Sequence, residues 1–470
     1  MTERTADDAA VTARVSTGRL RGAARSGVAR FLGVPYAAAP TGRRRFAHPE
    51  PPEPWEGVRE AVSPGPTAPQ LPYEGAVGEI LPSVVIPGED FLHVNVWAPE
   101  GAAPGSLPVL VWFHGGALTR GANALAAYDG TAFARDGVVF VAVNYRLGSE
   151  GFSVLDGAPL NLGLADQLAA LRWVSREIAA FGGDPGRVTA GGQSAGASTT
   201  AALAVHPEGG RLMRRAILQS GPLLAAAPEK AGRITRLVAE ELGITATREA
   251  FAATAPEDLV AAQHRVASGA GPLTGGPAFS LAVDGDLVPR SPYDALRAGA
   301  ADHLDLLMGA TSEEHRLWMA PTGMDRALRR PVLAAVAVRF GIGPGTLRRL
   351  RARRPGMSTG MLVGAVLGEV LLERPTRRVA DARARRGAAT HVYEFGWRGS
   401  AAGLGAAHCM ELPFVFDRLG TADAEALTGP GAPQDLAGAV HGAWVEFVRT
   451  GDPGWPVWTR GSAPRGWNGS

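Results

Sequence analysis

The sequence predicts an α/β fold with a mostly parallel central sheet and helices on both of its faces. Three observations carry this. Pro108–Phe113 and Val138–Asn144 are continuous apolar runs, which fit strands covered on both sides better than half-exposed strands. Residues 164–181 place Leu164, Leu168, Leu171, Val174 and Ile178 at three-to-four spacing, the stripe of an amphipathic helix lying on a sheet. Further short strands, Arg214–Gln219, Leu304–Gly309 and His391–Phe395, alternate with helical segments, the rhythm of parallel strands joined by crossovers.

Taken in order, residues 11–36 alternate short apolar runs with glycines and read as a small antiparallel meander. Residues 37–73 are rich in Pro and Gly around Trp55, so a wrapping loop is expected there. Leu92–Ala98 alternates as a strand. After Val188–Ala190, a short buried strand, comes Gly192-Gln193-Ser194-Ala195-Gly196 and then a run of Ala, Ser and Thr to Val205 that suits a packed helix. Residues 222–270 and 322–389 break the strand rhythm with helical patterns and read as insertions over one end of the sheet. Leu436–Thr450 is a closing helix, and Gly451–Ser470 reads as loop. No internal repeat and no linker divides the chain, so residues 1–470 are expected to form a single domain.

Composition narrows the function. Formal charge is +2, and Lys230 is the sole lysine among 47 basic residues, so no concentrated nucleic-acid footprint is expected. The densest run, Arg348-Arg349-Leu350-Arg351-Ala352-Arg353-Arg354, reads as a solvated helix face. One cysteine, Cys409, excludes an intrachain disulfide and a cysteine metal cluster. The polar start, Met1 to Asp8, carries no apolar signal core, and no apolar run is long enough to cross a bilayer. The expectation is a cytoplasmic protein without membrane, metal or cofactor; its oligomeric state is left open.

The chemistry begins at Ser194. A serine inside G-x-S-x-G, between a strand and a helix, is the pattern of a nucleophile elbow, where the hydroxyl projects above the sheet edge. Serine is too weakly acidic to attack a carbonyl unaided, so a His must take its proton and a carboxylate must orient that His. In this fold the chain order is Ser, acid, His. Glu313 and Glu314 follow the 304–309 strand, and His408 lies in the loop after the 391–395 strand. Of ten histidines, seven fall too early or beside the acid, His391 opens a strand, and His441 lies within a helix. Backbone N–H groups for the oxyanion should come from Ala195 and from the turn His114-Gly115-Gly116-Ala117.

These residues sit within longer motifs: Phe31-Leu-Gly-Val-Pro-Tyr-Ala-Ala-Ala-Pro40, Arg45-Phe46, Pro54-Trp-Glu-Gly-Val58, Gly88 to Pro99, Asn144-Tyr-Arg-Leu-Gly148, Asn161 to Gln167, Phe181 to Gly196, Val283-Asp-Gly285 and His408-Cys-Met-Glu-Leu-Pro-Phe-Val-Phe416. With them the chain resembles the type-B carboxylesterases, the family of cholinesterases, liver-type carboxylesterases and bacterial p-nitrobenzyl esterases, over most of its length. The resemblance implies the α/β-hydrolase fold with an N-terminal meander and helical cap insertions. It implies Ser194 as nucleophile, His408 as base, and Glu314 rather than Glu313 as acid. Gly116, Ala117 and Ala195 become the oxyanion donors, with Ser220 and Glu411 supporting the histidine from behind; Gln193, beside the nucleophile, is expected near it too. It also implies an ion pair between Arg45 and Glu89.

Departures from the family pattern matter as well. Gln193 replaces the Glu often found before the nucleophile, which removes a negative charge beside the imidazolium and argues for uncharged esters. The family's early disulfide falls where this chain reads Ala68-Pro-Gln and Glu-Asp-Phe91. The chain stops soon after Trp458, where relatives usually have one more strand and helix. Leu118 and Trp318 are candidate substrate-lining residues, and the pocket walls are expected from the insertions at 222–270 and 322–389. The expected function is serine hydrolysis of uncharged carboxylic esters through an acyl-enzyme, acting on small molecules. The alternatives are amide, carbamate or lactone hydrolysis with the same groups, or a non-catalytic binding protein on this fold.

Overall fold

A computed structural model describes residues 9–268, 279–353 and 355–468. The N-terminal octapeptide, the last two residues of the 222–270 segment and Arg354 lie outside these. The strands are β1 (Ala9–Val15), β2 (Gly18–Arg25), β3 (Val28–Pro35), β4 (Val58–Glu60), β5 (His93–Pro99), β6 (Leu107–Phe113), β7 (Val139–Val143), β8 (Gly183–Gln193), β9 (Arg215–Gln219), β10 (Asp305–Thr311), β11 (Thr390–Phe395) and β12 (Arg465–Trp467). They form one sheet in the order β1-β2-β3-β5-β7-β6-β8-β9-β10-β11-β12, with β4 beside β2. From β7 through β6 to β12 every pairing is parallel, while β1 to β3, β5 and β7 pair antiparallel. This is the mostly parallel α/β sheet that the strand rhythm predicts, and the α/β-hydrolase architecture that the family resemblance implies.

The apolar runs are buried on both sides because a strand sends alternate side chains to opposite faces. Val109, Val111 and Phe113 of β6 join one core cluster, and Leu110 and Trp112 join the other. In β7, Val139, Val141 and Val143 face the first, and Phe140 and Ala142 the second. The helix Leu162–Glu177 covers the first face through Leu164, Leu168, Leu171 and Val174. The helix Gln434–Thr450 covers the second through Val440, Trp444, Phe447 and Val448.

The two helical segments behave differently. Helices within 228–268 contribute Ile234, Val238, Phe251 and Leu259 to the main core. Those from 319 to 368 close around their own small cluster, including Leu333, Leu350, Leu362 and Val366. Along the arginine-rich helix Pro344–Arg353, Leu350 is buried while Arg349 and Arg353 pair with Glu369 and Glu373, so that exposed face is ion-paired as well as solvated.

Two expectations are corrected. The tail is not all loop: Arg465–Trp467 adds an edge strand parallel to β11, and Trp467 is buried there. Arg45 does not pair with Glu89, which is exposed. Instead its Nε donates to Glu150 Oε1 at 2.9 Å and its Nη1 to the carbonyls of Ala252 and Thr254. The N-terminal loop is therefore tied to the segment around residue 150 and to the helical segment, not to the stretch before β5. At the family's disulfide positions, Ala68 and Phe91 are buried in the core, so apolar packing takes the place of a covalent staple.

One motif finds its reason here. Arg146 and Asp166 are both fully buried, and the guanidinium donates to the carboxylate through Nε at 2.8 Å and Nη2 at 2.7 Å. Arg146 Nη1 also reaches the carbonyl of Ala47. This pair locks the segment after β7 to the helix beneath it, and so joins the motif that holds Arg146 to the one that holds Asp166.

Candidate active site

β8 ends at Gln193 and a helix begins at Ala195, so Ser194 occupies the turn between them. Its φ of 58° and ψ of −123° lie where side-chain-bearing residues are rare, and its N–H donates to Gln219 O at 2.8 Å. The flanking glycines are there for space. A Cβ on Gly196 would lie 1.9 Å from Phe113 O, and one on Gly192 would lie 2.5 Å from the Gly196 backbone. Backbone strain of this kind costs about 1–3 kcal/mol and persists where the surroundings hold it in place.

His408 and Glu314 meet as the chain order predicts. His408 Nδ1 is hydrogen-bonded to Glu314 Oε2, with both side chains almost fully buried. Glu314 Oε1 accepts from Ser220 Oγ at 2.6 Å and from the Thr311 N–H at 2.7 Å. Burial pushes the Glu314 carboxyl up, but His408 and these two donors outweigh it and hold it below the usual carboxylate value. Burial pulls His408 down, and the Glu314 carboxylate more than offsets that, so the imidazole sits above its ordinary 6.5. The arrangement keeps Glu314 ionised and His408 ready to hold a proton.

Glu313 goes elsewhere. Its buried carboxylate accepts from Arg316 Nε at 2.5 Å, from Arg398 Nη1, and from the Ala406 N–H at 3.1 Å. Its own N–H donates to Ala406 O at 2.9 Å. It laces the turn after β10 to the loop that carries His408, two residues beyond Ala406.

The turn after β6 supplies the other half of the site. Gly116 has φ of 115°, and Ala117 and Leu118 follow at 56° and 62°. The Thr119 and Arg120 N–H groups close this turn on Gly116 O. Among the described residues, the N–H groups of Gly116, Ala117 and Ala195 have no protein acceptor. His114 buttresses the turn: its Nδ1 donates to Gly115 O at 2.8 Å, and its ring stacks on Tyr145 at 4.5 Å. Burial pushes His114 down to about 4, so it stays neutral. Leu118 packs in the core and does not line the cavity, because its left-handed backbone turns the side chain inward.

Ser194, His408, Gly116 and Ala117 all border one cavity of about 110 Å³. Its walls come from loop 70–84, from the segment 115–128, from Trp318 and from residues 409–427. None of them comes from 222–270 or 322–389, against the expectation. Those helices satisfy their apolar faces in the main core and in their own cluster, and they leave the cavity to shorter segments. Trp318 does line it, 41% exposed, with its ring 6.3 Å from His408 and 6.5 Å from Tyr73.

Gln193, Ser220 and Glu411 are brought around the histidine. Gln193 Nε2 lies 3.2 Å from His408 Nε2, as a donor to the neutral ring. Glu411 is fully buried, accepts from Gln219 Nε2 at 3.2 Å, and leaves its Oε2 without a partner. Burial, followed by the Glu314 charge, pushes Glu411 up to about 7. Cys409 is the site residue that sequence reasoning passed over: its Sγ donates to Gln193 Oε1 at 3.5 Å, and burial pushes its thiol up. Its only signal was adjacency to His408.

The carboxylesterase family model matches residues 8–333. The chain belongs to the carboxylesterase family. This carboxylesterase is 36% identical to phenmedipham hydrolase of Pseudarthrobacter oxydans, over 95% of this chain and 92% of that protein. It is 33% identical to para-nitrobenzyl esterase of Bacillus subtilis (strain 168), over 94% and 91%. Among solved structures, a Geobacillus stearothermophilus carboxylesterase at pH 6.2 is similar with a TM-score of 0.84 and 37% identity, covering 96% of this chain and 94% of that one. The chain is a serine hydrolase of carboxylic esters, which sets aside the non-catalytic reading.

Proposed function

We propose that Ser194 is the nucleophile of this esterase, His408 its general base and acid, and Glu314 the carboxylate that orients the imidazole. The observation that carries this is the hydrogen bond from His408 Nδ1 to Glu314, with Ser194 held at the strained elbow of the same cavity. With its proton on Nδ1, His408 carries its lone pair on Nε2; it gives up the resting contact with the Gln193 amide there and takes the hydroxyl proton as Ser194 Oγ attacks the ester carbonyl. The carbonyl oxygen gains negative charge, which the N–H groups of Gly116, Ala117 and Ala195 receive. Collapse breaks the bond to the alcohol oxygen, which leaves with the proton from His408. Water, deprotonated by His408, then cleaves the acyl-enzyme and frees the acid and Ser194.

Supporting roles follow from contact. Ser220 holds the Glu314 carboxylate, and Gln193 and Glu411 set the charge around the imidazole. Because the alcohol leaves past His408, the portion of the substrate nearest Trp318 is the alcohol, and Trp318 offers it an aromatic wall. Gln193 is neutral, which suits an ester uncharged at the scissile bond. Phenmedipham hydrolase is among the similar proteins, and the same groups serve amides, carbamates and lactones, so matched ester and amide pairs decide between the bonds. We also propose that the chain works as one domain, since one sheet collects every described strand. We place it in the cytoplasm, where a lone half-buried cysteine stays reduced; among the described residues no helix is long and apolar enough to cross a membrane.

The test is hydrolysis of a chromogenic aryl ester by pre-steady-state kinetics. Wild type should release a burst of phenol equal to the enzyme, and Ser194→Ala should show neither burst nor turnover. Turnover surviving in Ser194→Ala overturns the assignment.

A further inference from the structure

The cavity at Ser194 is walled mainly by apolar and aromatic side chains, among them Ile80, Leu81, Val84, Leu125, Leu412 and Leu427. Three ionised side chains interrupt that wall: Arg120, Arg418 and Asp423. Arg120 is accounted for, since its guanidinium lies 4.4 Å over the Tyr73 ring and donates to Pro72 O at 3.4 Å. Arg418 is not. Among the described residues its guanidinium has no hydrogen-bond acceptor and no carboxylate within ion-pair distance, and its Nε is sealed from solvent without a partner. The adjacent Asp417 is already engaged by Arg135 and Gln434, and Asp423 lies beyond ion-pair reach. A donor sealed without an acceptor is unfavourable, while the rest of the Arg418 side chain is only half-buried and open to a partner from the cavity. An arginine so held in the wall of a substrate cavity is short of one thing, an anionic acceptor that fits its planar fork.

We propose that this esterase takes substrates that carry a carboxylate remote from the scissile bond, and that Arg418 receives it. The inference rests on the reading of Ser194 as the centre of the site and adds the class of ester that the site selects. It leaves the scissile bond in a neutral environment beside Gln193 and puts the charge at the far wall. Two guanidinium groups against one carboxylate in an apolar cavity give a net positive wall. That excess attracts an anionic end, and because the cavity opens to solvent the attraction falls with salt. Asp423 opposes this attraction and sets its limit.

The experiment compares aryl and alkyl esters in matched pairs, each with a terminal carboxylate or the corresponding methyl end, placed on the acyl or on the alcohol side. The readout is the selectivity ratio, kcat/KM for the carboxylate member over that for its neutral twin. In Arg418→Gln the ratio should fall at least about tenfold in one of the two series, mainly through KM. In Asp423→Asn it should rise severalfold, and in wild type it should fall between low and high salt. A ratio that stays within about twofold in Arg418→Gln in both series overturns the proposal. So does a wild-type ratio that ignores salt, which needs no variant to fold. Wild type that cleaves every pair with ratios blind to Arg418 rejects this inference alone, whereas wild type that cleaves neither member of any pair rejects the Ser194 reading with it.

Discussion

Replacing Glu314 by Gln keeps the size of the side chain and removes its charge from a buried contact with His408. When Ser194 attacks, His408 becomes an imidazolium, so the charge matters in the transition state and much less in the resting enzyme. At hydrogen-bond separation and an effective dielectric of about 20, the attraction is about 5 kcal/mol. Loss of the carboxylate in a triad typically lowers kcat by about 10⁴-fold, which is the same size. The variant also presents an amide N–H₂ to Nδ1, which favours the wrong tautomer. Glu313 is the control. Glu313→Gln unpairs Arg316 and Arg398 from a buried carboxylate and should cost stability, toward the lower end of about 3–5 kcal/mol because the Arg398 side chain is half exposed. The expected pattern is therefore crossed. Glu314→Gln should lose about 10³–10⁴ in kcat with a small change in Tm, and Glu313→Gln should lose several degrees in Tm with kcat within about tenfold. Steady-state hydrolysis of an aryl ester at low temperature, beside thermal melts, gives both readings. The reverse pattern would refute the assignment of the acid.

Further perturbations probe the other contacts. Activity should rise with pH as His408 loses its proton, with a midpoint above 6.5, since Glu314 raises the imidazole. Gln193→Glu adds negative charge 3.2 Å from the ring and should move that limb to higher pH; a pH–rate profile that does not move contradicts the placement of Gln193. Glu411 is raised to about 7 in the folded protein, so its contribution to stability is present below its unfolded value and lost as pH rises through 7. Between pH 5 and 8 wild type should lose about 2–3 kcal/mol that Glu411→Gln keeps, as read from urea melts at both pH values. Asp166→Asn leaves Arg146 buried without its partner and should destabilise by about 3–5 kcal/mol; an unchanged melt argues against that pair as a structural anchor.

What could be read in the sequence divides along physical lines. The elbow was legible because Gly192, Ser194 and Gly196 are demanded by space and backbone angle within five residues. The strands β6 and β7 were legible because burial on both faces leaves an uninterrupted apolar run. Glu314 and His408 were legible through chain order, but the choice over Glu313 needed the family pattern; in the structure each carboxylate shows its own partners. Long-range pairing was not legible. Arg45 reaches Glu150, over a hundred residues away, and nothing local in the sequence prefers that partner to Glu89. The edge strand Arg465–Trp467 is three residues long in a Pro- and Gly-rich tail, too short to show a period. The cavity walls were misplaced for a related reason: helical patterns at 222–270 and 322–389 reveal apolar faces but not which surface covers them.

The central claim is that one serine, Ser194, carries the acyl group. The direct measurement is intact-protein mass spectrometry after treatment with an aryl organophosphonate, followed by peptide mapping. The account predicts one adduct per chain, on the peptide containing Ser194, formed slowly when Glu314 is replaced by Gln and absent in Ser194→Ala. An adduct on any other residue, or an unchanged adduct in Ser194→Ala, contradicts it.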